Sequence, residues 1–219
     1  MSYIENIYIC LAAPQLLAIL CLRRFARQHL IFLLSGMTAC LLSAYVSSFL
    51  TGALGLDMSV ASHEISPLVE EIIKLLPVLF YLLIFNPDKK NAVSAAMLVA
   101  IGFATFENVC FLISYGSADL LRLLIRGFGT GAMHAGCGMV VAIGLFFLWD
   151  QAWLRAVGVF ALLCLVIRFH ATFNLFVNQS GAVFWIGSAI PLTLMLTYLA
   201  VFHRKVDLSD KEGEKHRAG

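Results

Sequence analysis

The chain has 219 residues, of which 61% are hydrophobic and 13% charged, against roughly 45–50% apolar and about 25% charged in soluble domains. A soluble globule of this size cannot hide so much apolar surface, and the same composition excludes a disordered chain, a collagen repeat and a disulfide scaffold. The net charge of +2, with no basic stripe outside the C-terminal tail, sets nucleic acid aside as a partner and leaves the lipid bilayer as the medium.

A membrane-spanning helix takes about 20 mostly apolar residues. Seven stretches qualify: 4–22, 30–56, 64–85, 91–115, 128–149, 153–177 and 182–202. The predicted fold is all-α, a polytopic transmembrane helical bundle. The first span follows Glu5 rather than a basic segment and outruns a signal-peptide core, so it is expected to be retained. The second is long enough to tilt, or to break near Gly52 and Gly55. The third holds Glu64, Glu70, Glu71 and Lys74, with Pro67 and Pro77 on either side of the Glu-Glu pair, where each removes a helical hydrogen bond and favours a kink. The fourth carries Glu107 and Asn108.

Residues 119–127 then form an amphipathic piece with Arg122 and Arg126 four apart, predicted to lie in the interface. The fifth span carries His134 and the small residues Gly127, Gly131 and Ala135, with Gly138 and Ala142, which suit close helix packing. The sixth holds Arg168, His170 and Asn174. The six cysteines show no Cys-x-x-Cys spacing and all fall in spans, where they are predicted to be small buried hydrophobes without a disulfide or zinc-thiolate role. No repeat is evident. Residues 1–203 are expected to be one transmembrane domain, with a motif-bearing core at about 64–178, and residues 204–219 a charged tail.

Orientation follows from counting lysines and arginines in the loops. Of the 15 basic residues, 11 (Arg23, Arg24, Arg27, Lys89, Lys90, Arg155, Arg204, Lys205, Lys211, Lys215 and Arg217) fall on one side. Only Arg122 and Arg126 fall on the other, so the N-terminus is predicted outside and the tail in the cytoplasm.

An ionisable side chain inside a span costs on the order of 2.5–3.5 kcal/mol on insertion scales, so a cluster of them points to function. Here four successive spans contribute. At about 1.5 Å per residue, Glu70, Glu107, His134 and His170 each lie roughly 10–12 Å below the outer end of their own span, although the helices run in alternating directions. A shared, water-accessible cavity opening outward accounts for that common depth. Within helices, Glu70 and Lys74, Phe103 and Glu107, and His170 and Asn174 are four apart and share a face, while Glu71 points about 100° away from Glu70.

Glu70-Glu71-Ile72-Ile73-Lys74, Phe103-Ala104-Thr105-Phe106-Glu107-Asn108 and His170-Ala171-Thr172-Phe173-Asn174, in that order on successive spans, resemble the motifs of the PrsW family of intramembrane proteases. That family sits within the wider group of bacterial Abi proteins and CAAX prenyl endopeptidases. The likeness covers residues 64–178, and His134 fits the family's further histidine helix. The CAAX enzymes usually carry Arg at the place of Lys74 and His at the place of Glu107, which points to the PrsW branch. The resemblance implies a multi-pass protein of a bacterial-type cell membrane. It implies an endopeptidase that cuts a single-span, anti-sigma-factor-like membrane protein near the outer face.

The chemistry expected of these residues follows from what peptide hydrolysis needs: an activated water, oxyanion donors and a proton for the leaving amine. Glu70 or Glu71 is the expected base, with Glu70 favoured because it shares a face with Lys74. His170 and Asn174 are the expected oxyanion donors, and His134 a second water ligand or proton carrier. Glu107 stands where related enzymes hold the water with His, and Lys74, Phe103 and Asn108 support the site. A zinc ion held by Glu70, Glu107, His134 and His170 is open beside a metal-free mechanism. So is a different function, a proton- or cation-coupled transporter using the Glu and His groups as a relay, although seven spans without inverted symmetry argue against it. The oligomeric state is also open.

Single cysteines introduced at Ser62 and Gln179 should be labelled by an impermeant reagent on intact cells, whereas one at Lys89 should not. External labelling at Lys89 overturns the orientation.

Overall fold

The computed structural model describes the backbone of residues 3–115, 120–148 and 152–218. Among the described residues there are helices and no strands. The long ones are α1 (Tyr3–Cys21), α2 (Arg24–Leu54), α4 (Ser66–Phe85), α5 (Lys89–Tyr115), α6 (Leu120–Leu148), α7 (Ala152–Val177) and α8 (Ala182–Ala218), and a short turn, α3 (Met58–Val60), precedes α4. Six of them are long and apolar enough to cross a membrane. The remaining predicted span, the third, corresponds to α4, whose 20 residues reach about 30 Å but include Glu70, Glu71 and Lys74.

The long second stretch breaks where its glycines predict: α2 stops at Gly55, which adopts the left-handed conformation at φ 63° and donates to the Gly52 carbonyl, a stop that glycine makes without steric cost. Two other boundaries differ from expectation. The amphipathic piece at 119–127 does not form a separate surface helix. From Leu120 it is the first part of α6, held on α5 by Asn108 Nδ2, which donates to the Gly127 carbonyl at 3.4 Å, and by the Arg126 guanidinium, 3.3 Å from the Phe111 ring centroid. Asp119 lies outside the described residues. Finally, α8 continues through the charged tail to Ala218; Lys and Glu are good helix formers.

A π-turn, Ala61–Ile65, leads into α4. Its position follows from Pro67, which has no N–H to give the His63 carbonyl and whose ring crowds it. The widened turn sends the Ser66 N–H to the Ala61 carbonyl and leaves the Ser62 carbonyl outside the helical ladder.

At the centre stands α5, packed against α2, α4 and α6. Its Ala92, Ala96, Val99, Phe103 and Phe106 are fully buried, at the three-to-four spacing of a helix face. Small residues set how closely the neighbours approach. A Cβ on Gly36 of α2 would fall 1.9 Å from the Val99 carbonyl oxygen, and one on Gly102 of α5 would fall 2.0 Å from the Leu33 carbonyl oxygen. Gly138 plays the predicted part against α5, its Cβ position 3.0 Å from the Ala96 oxygen, whereas Gly131 faces open space. The cysteines divide. Cys40 and Cys137 are buried as predicted, but Cys10, Cys21 and Cys164 are exposed, because α1 and the outer face of α7 pack against little of the bundle.

Gly102→Ala should therefore push α2 off α5 and destabilise the folded protein by about 1–3 kcal/mol, the usual cost of overpacking. Gly131→Ala should leave stability within about 0.5 kcal/mol. Unfolding in detergent measures both, and equal stability of the two variants would refute the close-approach reading.

Candidate active site

The costly polar residues meet where α4, α5, α6 and α7 converge. Lys74 Nζ is their hub. It donates to Glu71 Oε1 at 2.6 Å and to His134 Nδ1 at 2.6 Å, in a site where Lys74, Glu71 and His134 are all buried. Glu71 Oε1 also accepts from His170 Nδ1 at 2.7 Å. Since Lys74 donates to Nδ1, the proton of His134 sits on Nε2 and goes to Glu107 Oε2 at 2.6 Å. The two rings meet edge to face, with centroids 4.8 Å apart at 87°. Phe103, wholly buried, packs its ring 5.0 Å from the His134 ring and 5.0 Å from Lys74 Nζ.

Lys74 therefore pairs with Glu71 three residues away, not with Glu70 four residues away as the shared-face argument had it. Both spacings bring helical side chains together, and His170 on α7 draws Glu71 to that side. The three carboxylates also differ in how far they are open to a substrate. Glu71 is committed to two partners and is 4% exposed, whereas Glu70 is 16% and Glu107 25% exposed.

Glu70 Oε2 and His170 Nε2 face each other at 3.6 Å, and neither has a hydrogen-bond partner among the described residues. With the His170 proton on Nδ1, both atoms present lone pairs, an arrangement that calls for a cation between them. The separation suits one: two ligand bonds of about 2.0–2.1 Å at a tetrahedral angle place their donors roughly 3.3 Å apart. His134 completes a group of three, since Glu70, His134 and His170 each offer a ligand atom within 4.8 Å of the others. The carboxylate behind His170 Nδ1 is the outer support that orients metal-binding histidines. The donor set fits a zinc-like ion.

The remaining sequence candidates lie elsewhere. Asn174 does not share the cavity with His170; its Nδ2 donates to the Ser62 carbonyl at 3.1 Å, the one the π-turn releases. Asn108 turns to the backbone of α6. Glu64 and Arg168 are exposed, Arg168 because two residues from His170 is about 200° around a helix. The link between Lys74 and His134, 60 residues apart, left no trace in any local spacing.

A family model described as PrsW family intramembrane metalloprotease matches residues 25–202. The chain belongs to the PrsW family. It is thus a multi-pass membrane protein of an intramembrane protease family, and this decides against the transporter reading. No curated relative and no solved structure matches the chain.

Breaking the buried pair from one side leaves an uncompensated charge, which typically costs about 3–5 kcal/mol. Lys74→Met and Glu71→Gln should each destabilise the protein to that degree, and the double variant by clearly less than the sum. Strict additivity in unfolding measurements would show that the two do not interact.

Proposed function

We propose that this PrsW-family protein hydrolyses a peptide bond of a single-span membrane protein, near the outer face, at the centre formed by Glu70, His134 and His170. The observation that carries this is the pair of buried, unpartnered acceptors, Glu70 Oε2 and His170 Nε2, facing each other at 3.6 Å. Glu70 and His170 would hold a zinc ion through this facing pair, and His134 would join them by giving up one of its partners, Lys74 at Nδ1 or Glu107 at Nε2. When bound, such an ion supplies a water of lowered pKa and polarises the scissile carbonyl.

The chain's own groups divide the remaining work. Glu107, the most open of the three carboxylates and already a proton acceptor from His134, takes the proton of the attacking water and returns it to the leaving amine. Glu71 fixes the His170 tautomer so that Nε2 keeps its lone pair. Lys74 steadies Glu71 and His134 together, and its positive charge lowers the cost of gathering carboxylates at this depth. Phe103 closes the apolar side of the site. Asn174 acts as a positioning residue: by holding the Ser62 carbonyl it fixes the turn from which α4 and Glu70 start. The substrate reading is an anti-sigma-factor-like protein, since an outward-opening site in a bacterial-type cell membrane suits a membrane-anchored chain with an outer domain.

Metal content and cleavage of a single-span reporter separate the roles. Glu107→Gln should keep stoichiometric metal and lose about 10²–10⁴ in turnover, whereas His170→Ala should lose the metal itself. Undiminished cleavage after exhaustive chelation, with no metal bound, would return the water to Glu70 alone.

A further inference from the structure

Arg168 stands near the middle of the span Ala156–Val177, nine residues or about 14 Å from its outer end. Its side chain is exposed, on the face of α7 turned away from His170. Among the described residues no carboxylate pairs with it. Long basic side chains reach the headgroups from helix ends, not from mid-span, and a charge at this depth normally faces a partner. Thr172, one turn further along, is exposed beside it.

Beside this arginine runs an apolar groove of about 360 Å³ between α6, α7 and α8. Ala132 and Gly136 line it from α6, Leu165 and Phe169 from α7, Pro191 and Leu194 from α8. Gly136 leaves its floor open, with nothing within 4 Å of where a Cβ would stand. Arg168 does not itself line the groove, but Leu165 does and precedes it by three residues, about 60° away around α7, which puts the charge at the groove's edge. A small-residue floor lets another helix approach closely, and a polar group at the edge fixes its register.

We infer that this groove docks the spanning helix of a different membrane protein, one carrying a carboxylate near the middle of its span to meet Arg168. A second copy of this chain offers no such group. Its carboxylates at comparable depth are Glu70, Glu71 and Glu107, and all three are held in the central cluster. The docked helix lies behind α7, apart from the catalytic centre, so the docking is independent of the proteolytic reading.

The test measures association alone. The full chain, labelled with a donor fluorophore, is reconstituted in neutral liposomes with an acceptor-labelled host peptide of about 22 Leu and Ala residues bearing one central Glu, Leu or Lys. The Glu peptide should associate about tenfold more tightly than the Leu peptide. Arg168→Leu should abolish that preference, Arg168→Glu should transfer it to the Lys peptide, and Gly136→Leu should weaken every peptide by filling the groove. Glu70→Gln should change none of this, so a catalytic failure cannot be mistaken for a docking failure. If Arg168→Glu does not insert, Arg168→Leu carries the test by itself. Equal association of the Glu and Leu peptides with the wild-type chain would overturn the proposal. So would a preference that Arg168→Leu retains.

Discussion

One buried ammonium organises the interior. Lys74 Nζ lies 2.6 Å from both Glu71 and His134, in a bundle whose walls are otherwise Ala, Val, Leu and Phe. Isolated, any of these groups would be expensive at this depth. Together they neutralise and orient one another. Glu71 passes the constraint to His170 and so to α7, and His134 passes it to Glu107 and so to α5. Four helices are thereby fixed to each other by a single polar chain of contacts, and the positions of the reactive atoms are consequences of that chain.

Packing makes the arrangement rigid. With Gly36 and Gly102 admitting backbone carbonyls to within 2.0 Å of a would-be Cβ, α2 and α5 are in backbone contact, and Phe103 is clamped against His134 and Lys74. A site on helices so tightly apposed keeps its geometry without loops. The apolar clusters above and below the polar layer, around Met37, Val69 and Phe106 on one side and Leu75, Ala96 and Leu145 on the other, keep that layer in a medium of low dielectric, where its ion pairs are strong.

Much of this was legible in the sequence, for definite reasons. Apolar length sets the number of spans, and charge inside a span is costly enough that Glu70, Glu71, Lys74, Glu107, His134 and His170 stand out. Depth counting then brings them to one level. Facing is harder to read, because two spacings serve one helix face: Lys74 could have met Glu70 or Glu71, and only the partner on α7 decides. Asn174 was misread for a related reason. Its spacing from His170 aims both the same way around the helix, but a carbonyl freed on another element lay within its reach. Arg168 sits two residues from His170, and counting depth without angle placed it in the cluster.

That freed carbonyl ties one side chain to the length of a turn. An α-turn over residues 61–65 would need one residue fewer than the π-turn and would cap the Ser62 oxygen by its own backbone. In a relative with the shorter turn, an amide at the place of Asn174 would have nothing to hold there. Residue number in the turn before α4 and residue identity on α7 should therefore change together over evolutionary time, although some 110 positions separate them.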